Sequence, residues 1–227
     1  MDYNKTEIIA ILDMSGSMHG LTGDTIGGYN ALLEEQKKQE GEANITTVLF
    51  DDRYIVLHDR EDIRTVSPLT DKEYCPMGTT AMLDAIGKTL VSVGQKLAAM
   101  KEEERPGLVS VTIITDGYEN ASREYDWKTV QSMIREQKEK YNWIFTFIGA
   151  DIDTMEVSKN LGIDAGMAKS YTKSKAGLDS VYKSVSQSIS FSRSAAANYS
   201  VSDSVSGTAL NTEDLADKIS EILDNIE

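Results

Sequence analysis

The sequence contains few of the residues that form covalent cross-links or soft-metal sites. It has one cysteine, Cys75, and two histidines among 227 residues. A single cysteine cannot form an intrachain disulfide and cannot build a cysteine-based zinc site. The chain also lacks a run of about 18 apolar residues, so we expect no membrane-spanning helix. Residues 1–5 carry no basic segment that leads into an apolar one, and we therefore expect no signal peptide and a cytoplasmic protein.

Basic side chains are scarce relative to acidic ones. There are 23 Lys and Arg residues against 37 Asp and Glu residues, which gives a formal net charge of −14. Nucleic acids and anionic membranes attract proteins of the opposite charge, so we expect neither as a partner. The hydrophobic content is 40%, and over this length it is sufficient for one well-buried domain.

Apolar segments of two kinds alternate along the chain. Continuously apolar segments are typical of strands buried on both faces, and apolar residues at helical spacing indicate amphipathic helices. The predicted strands cover residues 7–12, 44–50, 54–58, 108–115, 143–148 and 167–171. The predicted helices cover roughly residues 22–39, 80–100, 127–137, 154–161 and 175–192. This alternation predicts an α/β fold with a doubly wound, mostly parallel central sheet, one antiparallel edge strand and helices on both faces.

The composition changes after the α/β part of the chain. Residues 1–193 form the predicted domain, and residues 194–211 are rich in Ser and Ala and are expected to be a linker. Residues 212–227 predict a C-terminal amphipathic helix with Thr212 as its N-cap. Two roles remain open for this helix: it either docks on its own domain or binds a partner or a second copy.

Three loops with oxygen-bearing side chains follow strands or open a helix. Asp13, Ser15 and Ser17 come directly after the first strand, at a spacing that lets all three face one point. Asp116 follows the most apolar strand, and Thr80 lies where the second helix opens. In open α/β sheets, ligands bind outside the carboxyl ends of the strands, where these loops would meet. Hard oxygen ligands favour a hard divalent cation such as Mg²⁺ or Ca²⁺.

The order of these motifs resembles a known site. Asp-x-Ser-x-Ser, a later Gly-Thr-Thr-Ala-Met-Leu-Asp-Ala and then Thr-Asp-Gly are similar to the metal-ion-dependent adhesion site (MIDAS) of von Willebrand factor type A (VWA) domains. The resemblance covers about residues 5–193 and implies the Rossmann-like VWA fold. Alignment of the residues after the two threonines selects Thr80, not its neighbour Thr79, as the site residue.

The resemblance assigns a role to each of five residues. It implies that Ser15 and Ser17 bind the cation directly through their hydroxyls. Thr80 would bind it directly or through water, and Asp13 and Asp116 would supply negative charge, largely through water. The implied cation is Mg²⁺, with Mn²⁺ and Ca²⁺ as alternatives.

The resemblance also implies a function. In this family the cation attracts a Glu or Asp side chain of a partner protein. Coordination of that carboxylate by the cation moves the helices around the site. We therefore hypothesise that partner binding at the metal is relayed to the C-terminal tail. The chain resembles small stand-alone bacterial proteins of this family, and nothing in the sequence identifies the partner.

Other functions are open at this stage. A Mg²⁺-dependent phosphoryl-transfer enzyme of the haloacid dehalogenase type also has an aspartate at the end of its first strand. That chemistry needs a second aspartate two residues later, where this chain has Ser15. Neither a P-loop nor a Gly-x-Ser-x-Gly motif is present, so we expect no enzyme. A further alternative is a VWA scaffold whose metal is structural and whose interaction surface lies elsewhere.

Several candidate residues have local interpretations as well. Ser15, Ser17 and Thr80 are also suited to capping the helices that follow them, and Asp116 is suited to beginning a turn with Gly117. Asp151 and Asp153 follow a strand and either rim the site or cap the next short helix. Asp84 lies one turn after Thr80, where it either favours the helix dipole or supports the site.

Overall fold

The structure, a computed structural model, describes residues 1–202 and 212–227. These residues form a six-stranded sheet with the strand order β3-β2-β1-β4-β5-β6. Its strands are β1 (Asp2–Asp13), β2 (Glu42–Phe50), β3 (Tyr54–Asp62), β4 (Pro106–Thr115), β5 (Ile144–Gly149) and β6 (Ala168–Ser170). All neighbours pair in parallel except β3, which runs antiparallel to β2 at one edge. The predicted α/β sheet with one antiparallel edge strand is confirmed.

The described residues contain six α-helices, which surround this sheet. They are α1 (Thr22–Lys37), α2 (Met82–Ala98), α3 (Trp127–Tyr141), α4 (Thr154–Leu161), α5 (Lys175–Ser202) and α6 (Thr212–Leu223). α1, α5 and α6 form one group, in which α5 contacts β1 and β4. α2, α3 and α4 form a second group, in which α2 contacts β1 and β2. The central strand β1 is therefore covered on both faces.

The central strands are buried because helices cover both of their faces. In β1, Ile9 and Ile11 have no exposed surface and Ile8 is 1% exposed. Strands covered on both faces read as continuous apolar runs, which explains why β1 and β4 were recognisable from the sequence. Full burial of one such side chain contributes about 1.5–3 kcal/mol to folding.

The last helix of the α/β part is longer than the sequence predicts. α5 continues to Ser202, so residues 194–202 of the expected linker are helical. Two features explain this: Ala196 is fully buried, and alanine has the highest helix propensity of all residues. In addition, the buried guanidinium of Arg193 donates to the backbone oxygens of Gln36 and Glu40, which fixes α5 to the end of α1. Residues 203–211 of the expected linker lie outside the described residues.

The C-terminal helix packs on the domain. Leu215, Ile219 and Leu223 are at most 4% exposed, and α6 contacts α5. These apolar residues lie in the segment for which the sequence predicts an amphipathic helix. The division of the chain at residue 193 stays a prediction. Within residues 1–202 and 212–227, no helix has the length and hydropathy required to cross a bilayer.

Candidate metal centre

The candidate residues meet at the point where the sheet reverses its order. From β1 the chain runs through α1 to β2 on one side, and from β4 it runs through α3 to β5 on the other. The gap between the carboxyl ends of β1 and β4 is therefore the topological switch point, the usual ligand position of such sheets. Asp13 ends β1 and Asp116 directly follows β4. The structure brings these two carboxylates and their loops together.

The loop after β1 directs its polar atoms toward this gap. Asp13 is 1% exposed, and its Oδ1 accepts the backbone N–H of Ser15 at 2.6 Å. Its Oδ2 accepts the hydroxyl of Thr115 at 2.5 Å, which joins the ends of β1 and β4. The hydroxyls of Ser15 and Ser17 lie 3.0 Å apart. Ser15 precedes a short 3-10 helix but makes no side-chain capping bond, so its hydroxyl is not used as a cap.

Asp116 contacts the loop after β1 through one carboxylate oxygen and Lys173 through the other. The side chain is buried, and its Oδ1 accepts the hydroxyl of Ser17 at 2.5 Å. Its Oδ2 accepts no hydrogen bond of normal geometry from the described residues. Instead, this oxygen lies 2.6 Å from the ammonium nitrogen of Lys173, which is also 3.7 Å from a carboxylate oxygen of Asp151. One carboxylate oxygen of Asp116 thus faces the positively charged ammonium of Lys173.

Thr80 is held in place from the loop after β4. Its backbone N–H donates to the side-chain oxygen of Asn120 at 2.9 Å, and its backbone oxygen accepts the N–H of Asn120 at 3.0 Å. Thr80 is 3% exposed, whereas Thr79 is exposed. The N-cap of α2 is Ala81, with no side-chain capping bond, so the Thr80 hydroxyl does not cap this helix.

Glycines keep the space between the three loops open. A Cβ added to Gly117 would lie 3.0 Å from the Thr80 hydroxyl oxygen and 3.8 Å from that of Ser17. Gly78 has φ +70°, and its backbone oxygen accepts the N–H of Gly16 at 3.2 Å, which joins the Thr80 loop to the first loop. A side chain at either position would strain the backbone or fill the space that the hydroxyls border.

The electrostatics of the site are set by burial and by one ion pair. Burial raises the pKa of Asp13 from 3.8 to about 6, although hydrogen bonds from Thr115 and Ser15 act in the opposite direction. Partial burial lowers the pKa of Lys173, but the close carboxylate of Asp116 and the charge of Asp151 more than offset this, so the net shift is upward. Lys173 is therefore a charged ammonium at neutral pH. The cluster without a bound ion has an excess of negative charge.

The donor set fits a hard divalent cation. Hydroxyl and carboxylate oxygens suit Mg²⁺ and Ca²⁺, and Mg²⁺ commonly uses one or two carboxylates together with waters. No three His, Cys, Asp or Glu side chains of residues 1–202 and 212–227 form a cluster that could hold a metal ion. A cation here would thus rely on the hydroxyls of Ser15, Ser17 and Thr80. The binding role of the five predicted residues stays a prediction.

The weaker candidates separate into different roles. Asp153 is the N-cap of α4 and accepts the N–H of Glu156 at 2.9 Å. Asp151 contacts Lys173, not the hydroxyl cluster. Asp84 neither faces the site nor simply offsets the helix dipole: it accepts the backbone N–H groups of residues 123–125 at 2.9–3.0 Å.

Sequence reasoning did not identify three residues of this site. Thr115 could have been found, because it immediately precedes Asp116 at the end of a strand. Asn120 lies three residues beyond the Thr-Asp-Gly motif and carries no separate signal. Lys173 follows the shortest strand, and a single lysine in a loop has no pattern that would point to a metal site.

Exposed apolar side chains lie on the loops around the candidate centre. Met77 is 49% exposed and precedes Gly78 in the Thr80 loop, and Tyr118 is 53% exposed and follows Gly117. Met155 is 50% exposed at the start of α4. The hydroxyl of Tyr118 accepts the backbone N–H of Asp153, so these loops are joined at the rim.

Comparisons with known proteins bear on the fold. The sequence gives no match to a protein-family model or to a curated protein. Proximal thread matrix protein 1 from the mussel byssus, with a zinc-occupied MIDAS motif, matches with a TM-score of 0.56 and 18% identity, over 82% of this chain and 46% of that one. A von Willebrand factor type A structure from Catenulispora acidiphila matches with a TM-score of 0.55 and 15% identity, over 80% and 42%. Manganese-loaded Plasmodium vivax TRAP protein matches with a TM-score of 0.54 and 15% identity, over 80% and 73%.

These similarities are structural and not close in sequence. This chain spans less than half the length of the mussel and Catenulispora proteins. Identities below 20% leave the fold as the shared property. The strand order, the antiparallel edge strand and the helices on both faces agree with this shared fold. The described residues therefore have the fold of von Willebrand factor type A structures.

Proposed function

We propose that this chain is a metal-dependent protein-binding module. It would hold a divalent cation, Mg²⁺, through Ser15, Ser17 and Thr80, with Asp13 and Asp116 as the carboxylates. The bound cation would supply an electrophilic centre for an Asp or Glu side chain of a partner protein. The observation that carries the proposal is the convergence of three hydroxyls and two buried carboxylates at the switch point of the sheet.

The ligand chemistry favours binding of an anion. Hydroxyl ligands are uncharged, so two carboxylates are the main compensation for a charge of +2. A cation with few anionic ligands attracts a further carboxylate. Two structurally similar proteins are described with zinc and with manganese, which supports a divalent cation at this fold's site.

The surroundings favour a protein as the ligand. Met77 and Tyr118 are about half exposed on two loops, and Met155 is about half exposed at the start of α4, at the same edge of the sheet. Exposed apolar groups beside a polar centre are typical of interaction surfaces. A partner that presents a carboxylate flanked by apolar residues would contact both features. We place this activity in the cytoplasm, whose reducing conditions are compatible with the free, exposed thiol of Cys75.

We propose binding instead of catalysis because the site lacks a second acid in the required place. Phosphoryl transfer of the haloacid dehalogenase type needs an aspartate two residues after the first, and Ser15 occupies that position. Metal-dependent hydrolysis of generic phosphoesters that is lost in Asp13→Ala would contradict this part of the proposal.

The first test concerns the cation. Mn²⁺ titration followed by electron paramagnetic resonance should give one site in the wild type. We expect Ser15→Ala and Thr80→Ala each to weaken Mn²⁺ binding by about tenfold or more, because each removes one oxygen ligand. Thr79→Ala is the matched control and should leave the affinity unchanged, since Thr79 is exposed. Equal affinities of Thr80→Ala and Thr79→Ala would contradict the assignment.

The second test concerns the partner. Immobilised wild-type protein should capture a partner from native lysate in Mg²⁺ and release it in EDTA, and re-addition of Mg²⁺ should restore binding. Ser15→Ala should fail to capture it, whereas Thr79→Ala should behave as the wild type. A partner retained both in EDTA and by Ser15→Ala would instead favour a structural metal with an interaction surface elsewhere.

A further inference from the structure

The ion pair between Lys173 and Asp116 is not explained by the proposed function. The Lys173 ammonium lies 2.6 Å from Asp116 Oδ2, and Asp116 has no exposed side-chain surface. The other oxygen of this carboxylate already accepts the Ser17 hydroxyl. Both carboxylate oxygens of Asp116, one of the five predicted site residues, are therefore engaged, and one of them contacts a positive charge of the chain itself.

We propose that Lys173 is a built-in competitor for the cation and sets its affinity. This inference rests on the proposed function, because it concerns the same site. A divalent ion near Asp116 and the ammonium carry charges of the same sign, and their repulsion is large where the groups are buried. The cation can therefore occupy the site fully only when Lys173 moves away from Asp116.

The surroundings of Lys173 provide a second position for its ammonium. Asp151 has a carboxylate oxygen 3.7 Å from the lysine nitrogen, and its side chain is 65% exposed. A short movement toward Asp151 would keep the ammonium paired with a carboxylate and release Asp116 Oδ2. Lys173 follows Tyr171, whose N–H donates to the Gly149 backbone oxygen, so the segment is anchored close to the end of β5.

The role of Lys173 differs from that of a structural ion pair. Surface ion pairs contribute little to folding, and removing one changes the metal-free and metal-bound protein alike. A competitor instead changes the free-energy difference between these two states. We expect Lys173→Gln to bind Mn²⁺ at least about tenfold more tightly than the wild type, because one positive charge is removed beside the ion.

The experiment compares Mn²⁺ affinities by electron paramagnetic resonance. Lys173→Arg keeps the charge and should stay near the wild-type affinity. Lys175→Gln is the matched control: it removes the same charge two residues later, where the ammonium lies 3.5 Å from Asp24 and the side chain is 74% exposed. Its affinity should stay within about twofold of the wild type, since exposed charges are screened.

The outcomes separate this inference from the proposed function. Equal Mn²⁺ affinities of Lys173→Gln and wild type would overturn the competitor role and leave the cation site intact. No Mn²⁺ binding by either protein would overturn both. If Lys175→Gln bound Mn²⁺ as tightly as Lys173→Gln does, the gain in affinity would come from the net charge of the protein. That result would also overturn the competitor role.

A measurement on the wild-type protein removes the dependence on a variant. Amine acetylation followed by mass spectrometry reports how accessible each lysine is. Mg²⁺ should increase the acetylation rate of Lys173 relative to Lys175, because the ammonium leaves the buried carboxylate. An unchanged ratio at saturating Mg²⁺ would overturn the competitor role.

Discussion

At the scale of single residues, Asp13 has an unfavourable environment without a cation. Its carboxylate is buried at the end of β1, and burial raises its pKa to about 6. Between pH 3.8 and about 6 the folded state binds more protons than the unfolded state, so stability falls as the pH rises through this window. At neutral pH the charged group is a cost to folding that a bound cation would offset.

We predict that Asp13→Asn stabilises the metal-free protein at pH 7. One pKa unit corresponds to about 1.4 kcal/mol, so removal of the charge should contribute about 2–3 kcal/mol. Urea unfolding in EDTA should show this gain at pH 7. It should show little of it at pH 4, where Asp13 is protonated in the folded state and only about half ionised in the unfolded state. In saturating Mg²⁺ the gain should shrink or reverse.

The control for this prediction is Asp153→Asn. Asp153 caps α4 at the surface, and asparagine caps helices about as well as aspartate, so stability should change by less than about 0.5 kcal/mol. An Asp13→Asn protein that is less stable than the wild type in EDTA at pH 7 would show that the buried carboxylate is not a cost.

At the scale of elements, the loop after β4 takes the place of a local cap for α2. The amides of Leu83 and Asp84 at the start of α2 donate to Glu119 and Ser122, which lie in that loop. In return, the Asp84 carboxylate accepts three backbone N–H groups of residues 123–125. The helix that follows Thr80 and the loop that carries Asp116 are thus one unit.

We predict that Asp84→Ala lowers both stability and cation affinity. It leaves three loop N–H groups without their charged acceptor, which should cost about 2–4 kcal/mol in the free energy of unfolding. Asp84 has a lowered pKa because the backbone N–H groups outweigh the opposing effect of burial. Its contribution is therefore present above pH 3.8 and is lost as the pH falls through the lowered pKa.

The comparison variant is Asp126→Ala, which removes one N-cap bond, to Thr129 N, at the start of α3. It should cost about 1 kcal/mol and leave Mn²⁺ binding unchanged. If Asp84→Ala weakened Mn²⁺ binding no more than Asp126→Ala does, the loop would not position the site through Asp84.

At the scale of the whole molecule, the segment that carries Lys173 is bonded to the end of the described chain. The backbone N–H of Thr172 donates to the backbone oxygen of Glu227 at 2.9 Å, and the N–H of Glu227 donates to Ser180 at 3.1 Å. Lys169 in β6 also forms an ion pair with Asp224, just after α6. The candidate centre and the C-terminal helix therefore share one short segment.

We predict that cation binding changes hydrogen exchange in the C-terminal segment. If Lys173 moves when Mg²⁺ binds, Thr172 and its bond to Glu227 move with it, and α6 should exchange faster by about threefold or more. Hydrogen-exchange mass spectrometry of residues 212–227 with and without Mg²⁺ measures this. Residues 127–141 in α3 serve as the internal reference. Identical exchange of 212–227 in both states would contradict a relay to the tail.

The sequence by itself determined most of the fold. β1 and β4 are apolar on both faces, so their interior position could be predicted from the sequence alone. The five oxygen-bearing residues were also readable, because each follows a strand or opens a helix. The sequence could not determine where α5 ends, since Ser and Ala are compatible with both a linker and a helix. Packing of Ala196 and the bonds of Arg193 decided its length.

Only the tertiary structure decided which side chains hold the predicted site residues in place and which charge lies against them. Asn120 holds Thr80, Thr115 joins Asp13 to the next strand, and Lys173 faces Asp116 across distant parts of the chain. The physical reason is the nature of these contacts. Hydrophobic periodicity and strand ends are local properties and appear in the sequence, whereas a hydrogen bond or ion pair between residues far apart depends on where the whole sheet brings its loops.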